Sequence, residues 1–399
     1  MDHHRHGLIA YREGRPQDAI GHLEQALDLA PDFAEGHNNL GVLLQACGRT
    51  EDAAVRFERA LALNPVYAEA HNNLGAVYEA QGRTDQALFH FERAVAAHPT
   101  YLDARNHLAM ALFAQGRFEA AISHWHRVLA QAPGAHDAEI YMAKALYGVS
   151  LISSEDARRL ARTLQAAYAD NPVIGYAAAA ILGEGAPDRA TPGYVTALFD
   201  VFADNFDQAL GRLGYSPGPL VALLEDEGAA GLQPQLDILD AGCGTGLAAP
   251  FLKPLAKTLT GCDLSPKMLA RAVGTGLYDR LVETELVSFL ADHAAAFDLV
   301  IAADVFIYFG ALGPVLTAMA GALRPGGRLA CSMESGDGIK DAQKNGFAIF
   351  AGGRYKHSSG YLREQTAASG FDLCRLVEAT QRWEDGKPVP GLWLVARKR

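Results

Sequence analysis

The chain contains no long hydrophobic run and only five cysteines. No apolar stretch reaches the roughly 18 residues that a membrane-spanning helix needs. The first residues lack an apolar segment behind a basic start, so we expect neither a membrane partner nor a secretory signal. The cysteines are scattered and form no C-x-x-C pair, which argues against a disulfide framework and a structural zinc site. We therefore expect reduced thiols and a cytoplasmic location.

The chain is also poor in positive charge. Its net charge is −11, of which residues 1–190 carry −7 and residues 191–399 carry −4. Proteins that bind DNA or RNA draw much of their affinity from lysine and arginine facing phosphates, and neither half offers such a basic field. We expect no nucleic-acid partner. The early histidines His3, His4 and His6 could mark a metal tract, but the repeat described next places them inside a helix, and we predict no metal site.

An internal repeat of 34 residues occupies the first third of the chain. Four kinds of residue recur at this period: prolines, glycines, alanines and large apolar residues. The recurring positions are Pro31, Pro65, Pro99 and Pro133; Gly14, Gly48, Gly82 and Gly116; Ala19, Ala53, Ala87 and Ala121; and Leu23, Phe57, Phe91 and Trp125. Glycine ends a first helix in the left-handed conformation, and proline stops a second. Each repeat is therefore predicted to be a pair of helices.

This pattern resembles the tetratricopeptide repeat over about residues 1–135, and Asn38-Asn39-Leu40-Gly41 matches the core of that family's first helix. The resemblance implies a groove, lined by the first helices, that holds a protein or peptide. The groove residues it implies are Asn38, Asn39, Asn72, Asn73, Asn106 and His107. An asparagine amide both donates and accepts, so a row of amides can hold an extended peptide backbone. The alternative is that these residues solvate an exposed face. The acidic neighbours Glu35, Glu69, Glu79 and Asp103 favour a basic or neutral peptide.

The length of the chain predicts two domains, because 399 residues exceed what one core usually serves. Residues 136–185 keep helical apolar spacing but lose the repeat register, so we predict a degenerate helical pair that caps the solenoid. Residues 186–192, rich in proline and charge, are predicted to be a linker. The remainder, residues 193–399, alternates β-rich with helical stretches and predicts an α/β domain.

A strand, a glycine-rich turn and a helix follow one another at residues 236–247. This arrangement typifies nucleotide-binding elements, in which the helix N-terminus faces the ligand. The glycine spacing is G-x-G-x-G, not the G-x-G-x-x-G that seats a dinucleotide. The stretch Asp240–Gly246 instead resembles the first motif of class I methyltransferases. That resemblance implies an S-adenosylmethionine cofactor and a Rossmann-like, seven-stranded sheet whose last strand pair is antiparallel.

The same resemblance implies the cofactor-binding residues. Asp240 would help to place the amino group of the cofactor, Asp263 would accept both ribose hydroxyls, and Glu285 would lie near the adenine amino group. The full set is Asp240, Ala241, Gly242, Cys243, Gly244, Thr245, Gly246, Asp263, Leu264, Met268, Glu285, Leu286 and Asp304.

Catalytic residues are less well defined by the sequence. Methyl transfer is a displacement that depends mainly on alignment, and a general base helps only when the acceptor carries a proton of high pKa. The candidates for such a base are Tyr308, Glu334, Tyr355 and His357, the last placed outside the regular strands. The helical face Phe199, Phe202 and Phe206 either covers the cofactor or belongs to the core.

Three functions fit the sequence. The first is methylation of a protein or peptide that the repeats recruit. The second is methylation of a small molecule or carrier-bound metabolite, with repeats that localise or dimerise the enzyme. The third is an inactive scaffold, which the intact glycines and both acids, Asp240 and Asp263, disfavour. The sequence leaves the methyl acceptor and the oligomeric state open.

Overall fold

The computed structural model describes residues 2–183, 187–226, 235–384 and 386–399. The chain divides into two compact units, Met1–Val149 and Ser150–Arg399. The division lies inside the segment predicted as the cap, so residues 136–149 belong to the first unit and the rest of that segment to the second. Part of the predicted linker, and the residues just before it, lie outside the described ranges.

The first unit consists of consecutive helix pairs. Its helices are α1 (Asp2–Arg12), α2 (Pro16–Leu29), α3 (Ala34–Ala46), α4 (Thr50–Leu63), α5 (Ala68–Ala80), α6 (Thr84–Ala97), α7 (Leu102–Ala114), α8 (Phe118–Gln131) and α9 (His136–Ile152), whose last three residues belong to the second unit. The repeated large apolar side chains are fully buried between the helices, as Phe57 and Phe91 show. A Cβ on Gly41 would lie 2.5 Å from the Phe57 ring, which explains why glycine stands there. The predicted helix pairs are confirmed.

The second unit begins with helices and continues into the sheet. Its helices are α10 (Ser154–Ala167), α11 (Pro172–Leu182), α12 (Pro192–Phe202), α13 (Phe206–Arg212), α14 (Gly218–Asp226), α15 (Ala249–Leu252), α16 (Pro266–Gly274), α17 (Leu286–Ala291), α18 (Gly313–Ala322), α19 (Lys340–Asn345) and α20 (Ser359–Ala368). Helix α11 packs on this unit, because the Tyr176 hydroxyl donates to the carbonyl oxygen of Gly353 at 2.9 Å and its ring lies 4.5 Å from that of Tyr194.

The strands form a seven-stranded sheet and a separate short hairpin. They are β1 (Leu236–Ala241), β2 (Ala256–Asp263), β3 (Arg280–Glu283), β4 (Phe297–Ala303), β5 (Leu323–Glu334), β6 (Phe347–Ile349), β7 (Tyr355–His357), β8 (Phe371–Glu384) and β9 (Lys387–Lys398). The sheet order is β3-β2-β1-β4-β5-β9-β8, with β1 to β5 parallel and β9 antiparallel to β5 and β8. The predicted sheet with an antiparallel last pair is confirmed. His357 was wrongly placed outside the strands, because it ends the hairpin strand β7.

Two apolar cores cover the two faces of this sheet. Successive side chains of a strand point to opposite faces, so Leu239 of β1 packs in one core and Ile238 in the other. Helix-covered parallel strands place their carboxyl ends along one edge, and ligands bind at this edge where the strand order reverses. In this sheet the reversal lies between β1 and β4.

Candidate active site

The glycine turn follows β1 at this edge. The backbone amides of Gly242 and Cys243 both donate to the carbonyl oxygen of Cys262, at 2.9 and 3.0 Å, which fixes the turn beside the end of β2. Gly244 has a φ of +54°, and among the described residues a Cβ placed on it would meet only the Phe206 ring, at 3.9 Å. The protein therefore leaves room at Gly244 for a ligand to approach the backbone.

Two carboxylates flank the turn, the buried Asp240 and the partly buried Asp263. Asp263 accepts hydrogen bonds from the amides of Gly244 and Ser265, both at 2.9 Å, and Asp240 accepts one from the Tyr278 hydroxyl at 2.6 Å. Burial raises the pKa of Asp240 to about 7, with a further contribution from Asp263. Burial also raises the pKa of Asp263. Within the described residues neither carboxylate forms an ion pair, so a bound cation would stabilise both.

The start of the second unit adds two more acids at the turn. In α13, Asp207 accepts a hydrogen bond from the Thr245 hydroxyl at 2.5 Å. In α12, Asp200 accepts one from the Ser265 hydroxyl at 2.6 Å. Neither acid was predictable from the sequence, because Asp207 lies 38 residues from Thr245 and Asp200 lies 65 residues from Ser265 along the chain. Only the fold brings each pair together.

The aromatic face of α12 and α13 covers the same region. The Phe199 ring lies 5.7 Å from that of Phe206 and 5.5 Å from that of Tyr308, measured between ring centres. Phe199 and Phe206 therefore lie over the glycine turn and the end of β4.

The donor set fits S-adenosylmethionine. The methionine part of this cofactor carries an ammonium and a sulfonium, both positive, and its ribose offers two hydroxyl donors. Carboxylates without a cationic partner suit such a ligand, because a positive charge nearby lowers their pKa and favours their ionised form. Asp240 and Asp263 supply those acceptors. Asp207 and Asp200 bond to the neighbouring hydroxyls of Thr245 and Ser265.

The other predicted cofactor residues occupy the surrounding elements. Met268 is fully buried in α16, whose N-terminus the Ser265 hydroxyl caps by accepting from the Met268 amide at 3.1 Å. Glu285 caps α17 through the Ser288 amide at 2.9 Å and pairs with Arg189 at 2.8 Å. Its carboxylate is thus engaged within the protein. Leu286 is buried in the same helix. Ala241 ends β1, Thr245 lies in the glycine turn, and Leu264 follows β2.

Asp304 immediately follows β4 and has a φ of +61°, a conformation that few side chains other than glycine adopt. Its amide donates to the Ser332 hydroxyl at 3.0 Å, Gln381 donates to Oδ1 at 3.0 Å, and Arg382 approaches Oδ2 at 3.4 Å. Burial raises the pKa of Asp304 to about 6, against the lowering effect of Arg382. Neighbours on β5 and β8 therefore hold this carboxylate in place.

Glu334 lies at the centre of a buried ionic network. It is only 1% exposed and pairs with Arg382, with Arg354 at 3.0 Å and with Lys356 at 3.3 Å. Glu384 accepts from both arginines, at 2.9 Å each. Removing one member of a buried pair leaves the other charge uncompensated. These contacts give Glu334 a structural role rather than that of a free base.

Tyr355 and His357 are also engaged in the fold. His357 is completely buried, its Nε2 lies 3.2 Å from the Gly310 carbonyl oxygen, and burial lowers its pKa to about 4. The Tyr355 hydroxyl donates to the carbonyl oxygen of Pro187. Among the described residues, no hydrogen-bond partner is found for the Tyr308 hydroxyl or for the buried His357 Nδ1.

The predicted groove residues of the first unit bond to one another across the repeats. Asn73 Nδ2 donates to Asn38 Oδ1 at 3.0 Å, and His107 Nδ1 lies 2.8 Å from Asn72 Oδ1. An equivalent contact joins the first two repeats, where Asn39 Nδ2 lies 2.9 Å from His4 Nε2. Asn106 closes the row by accepting from Trp125 Nε1 at 2.8 Å.

We call this row the amide ladder (His4, Asn38, Asn39, Asn72, Asn73, Asn106 and His107). Its side chains bond in pairs across successive repeats, except for Asn106, which bonds to Trp125. Asn38 and Asn72 are only 5% exposed. The recurrence of asparagine is therefore explained by contacts between successive repeats.

Known families match both units. Tetratricopeptide-repeat families match residues 4–54, 32–100 and 78–147, and a methyltransferase domain family matches residues 239–331. The human methyltransferase-like protein 27 is 37% identical over 98 residues, which are 24% of this chain and 39% of that protein. The ubiquinone biosynthesis O-methyltransferase of Thiobacillus denitrificans is 34% identical over 95 residues, 23% of this chain and 40% of that one. This chain thus spans about two fifths of the length of these curated relatives.

A solved structure also resembles the second unit. The 1,6-didemethyltoxoflavin-N1-methyltransferase of Burkholderia thailandensis, with bound S-adenosylhomocysteine, is 24% identical, with a TM-score of 0.41. The similarity covers 53% of this chain and 92% of that one. The family matches and the sheet order show that the chain combines tetratricopeptide repeats with a methyltransferase domain of Rossmann-like fold.

Proposed function

We propose that this chain transfers a methyl group from S-adenosylmethionine to a protein or peptide that its repeats recruit. The observation that carries the proposal is the pair of carboxylates, the buried Asp240 and the partly buried Asp263, beside a glycine turn open to a ligand. This arrangement lies where the strand order reverses, the usual ligand edge of such sheets.

Each element of the site has a defined task in this proposal. Asp240 faces the positive methionine end, and Asp263 accepts the ribose hydroxyls while the Gly244 amide keeps it in place. Met268 and Leu286 supply apolar surface beside the adenine. Phe199 and Phe206 exclude water from the region where transfer occurs. The cofactor itself supplies an activated methyl group, so the protein contributes alignment and a dry site.

The acidic residues of the repeats support a basic protein or peptide as the partner. Glu35, Glu69 and Asp103 recur at the 34-residue step, are exposed, and form no ion pair within the described residues. The amide ladder is occupied by its own contacts, so recognition would rely on these carboxylates instead. Complementary charge steers association and adds specificity.

A small-molecule acceptor is the second candidate, and the enclosure of the site favours it. The Phe199 and Tyr308 rings meet edge to face, with their centres 5.5 Å apart. Such a setting admits a slender acceptor more readily than a folded surface.

The location of the protein is proposed to be the cytoplasm. All five cysteines are free thiols, as a reducing compartment keeps them. No helix among the described residues is long and apolar enough to cross a membrane. Cell fractionation with a tagged full-length chain tests this location.

One assay separates the two acceptor classes. The full chain is incubated with S-adenosylmethionine labelled in the methyl group and with a cell lysate, which is then resolved into protein and small-molecule fractions. We expect label in protein with the wild type and none with Asp263→Ala. Label confined to the small-molecule fraction would favour the second candidate, and no label in either would contradict transfer.

A charge-reversal variant tests the repeats. Replacing Glu35, Glu69 and Asp103 by Lys should lower labelling of protein while S-adenosylmethionine affinity stays unchanged. The matched control reverses Glu24 and Asp28, exposed acids of α2 that lie outside this row. Equal labelling by the two variants would show that the acidic row does not recruit the acceptor.

A further inference from the structure

The backbone at Asp304 adopts a conformation that the rest of the site maintains. An aspartate with a φ of +61° persists only where its surroundings hold it, and such residues cluster at functional sites. The Ser332 hydroxyl holds the Asp304 amide, and Gln381 holds one carboxylate oxygen. Gln381 is itself fixed, since its Oε1 accepts from Trp393 Nε1 at 2.8 Å. Three strands thus position this one carboxylate.

Asp304 also adjoins the cofactor turn. The next residue, Val305, packs against Gly242 so closely that a Cβ there would lie 2.6 Å from Val305 Cγ2. Burial raises the pKa of Tyr215, and the negative charges of Asp304 and Asp240 add to this effect. Asp304 therefore stands next to the methionine end of the proposed cofactor site, across the turn from Asp240.

The polar groups around Asp304 leave hydrogen-bonding capacity for an acceptor. The hydroxyls of Tyr215 and Tyr308 have no hydrogen-bond partner among the described residues, and both side chains are partly buried. The charged groups that face the Asp304 carboxylate are Arg382, Arg354 and Glu334. Arg382 is 2% exposed and saturated by acids, so it orients Asp304 rather than binding a ligand.

We propose that Asp304 receives the proton of the methyl acceptor, which therefore reacts through an oxygen or nitrogen that carries a proton until transfer. This inference rests on the proposed function and adds the chemical class of the acceptor. Gln381 and Arg382 are positioning residues, and the Tyr215 and Tyr308 hydroxyls bind the acceptor group. Glu334, Tyr355 and His357 have no part in the proton transfer.

The atoms and charges of the step balance. A lone pair on the acceptor oxygen or nitrogen forms the new bond to the methyl carbon. The bond from sulfur to that carbon breaks, and its electron pair stays on sulfur, so the positive sulfonium becomes a neutral thioether. The acceptor's proton moves to a carboxylate oxygen of Asp304. A carboxylate with a pKa of about 6 is ionised at neutral pH and accepts this proton.

Two cofactor analogues test the inference without a known acceptor. Sinefungin carries a primary ammonium group in place of the sulfonium methyl, and S-adenosylhomocysteine carries nothing there. If Asp304 faces this position, the wild-type chain should bind sinefungin at least about tenfold more tightly than S-adenosylhomocysteine at pH 8, since the extra bond is charge-assisted. In Asp304→Asn, titration calorimetry should give a ratio near one, with S-adenosylhomocysteine affinity unchanged.

The matched control is Glu384→Gln, which neutralises another carboxylate paired with Arg382 and should leave the ratio as in the wild type. If Asp304→Asn fails to fold, the wild type alone suffices. Its affinity ratio should fall towards one as pH drops below about 6, and effects of Asp240 cancel because both analogues share the methionine end.

Three results would overturn the inference. The ratio of the two affinities could stay unchanged in Asp304→Asn, it could fall equally in Glu384→Gln, or it could be independent of pH in the wild type. Failure of both analogues to bind the wild type would instead overturn the proposed function.

Discussion

Replacing Asp240 by Asn should stabilise the cofactor-free methyltransferase domain while weakening its cofactor binding. In the folded chain burial raises the pKa of Asp240 from 3.8 to about 7. The folded state therefore binds this proton more tightly than the unfolded state, and stability falls as pH rises from about 4 to 7. Asparagine carries no charge, so this loss disappears in the variant.

The size of the effect follows from two opposing contributions. Ionising Asp240 in the folded state costs about 4 kcal/mol at pH 8, at about 1.4 kcal/mol for each pKa unit. The new amide keeps the acceptor for Tyr278 but buries unsatisfied N–H donors, which costs about 1–3 kcal/mol. The variant should therefore gain about 1–3 kcal/mol at pH 8, and the gain should vanish near pH 5.

Urea unfolding with pulsed hydrogen exchange and mass spectrometry measures this, because peptides from β1, β2 and β4 report on the methyltransferase domain alone. Asp263→Asn is the contrasting control. Each carboxylate oxygen of Asp263 accepts a hydrogen bond from a backbone amide. An asparagine at this position would point its own N–H donors at one of these amides, so the variant should destabilise the domain. An Asp240→Asn variant that is no more stable at pH 8, or equally stabilised at pH 5, would refute the reasoning.

Three further predictions concern single contacts. Asp263→Ala should weaken S-adenosylmethionine binding by about 2–3 kcal/mol in titration calorimetry, and unchanged affinity would exclude its role. His71 and His90 lie 2.9 Å apart between their Nδ1 atoms, and burial lowers the pKa of His90 to about 4. Both histidines are thus neutral in the fold, so hydrogen-exchange protection of α5 and α6 should fall as pH drops from about 6.5 to 4, and less so in His90→Phe. In a double-mutant cycle Asn38→Ala and Asn73→Ala should couple by about 0.5–1.5 kcal/mol, and strict additivity would contradict the ladder.

Periodicity predicted the helix pairs because each repeat buries the same positions against its neighbour. Phe57 and Phe91 show this, each lying against the glycine of the first helix of its repeat. The sheet and the cofactor edge were predictable for a similar reason. A strand, a glycine turn and an acid at the next strand end are short-range signals, and Asp240 and Asp263 stand where they indicate.

Contacts between distant residues were not predictable. Asp207 reaches Thr245, and Gln381 reaches Asp304, only once the chain has folded. The bond from Asn73 to Asn38 was not predictable either, because the two asparagines lie 35 residues apart in the sequence. His357 was a candidate base because a sequence shows the residue type but not its burial.

We infer that Asp240 and Asp263, the two acids beside the glycine turn, bind the cationic cofactor. Calorimetric titration of the full chain with S-adenosylmethionine at pH 6.5, in buffers of different ionisation enthalpy, tests it most directly. We expect one-to-one binding with release of roughly half a proton or more, because Asp240 has a pKa of about 7 without the cofactor and loses its proton beside the bound cation. In Asp240→Asn we expect no proton release. Absence of binding, or binding without proton release in the wild type, would contradict the account.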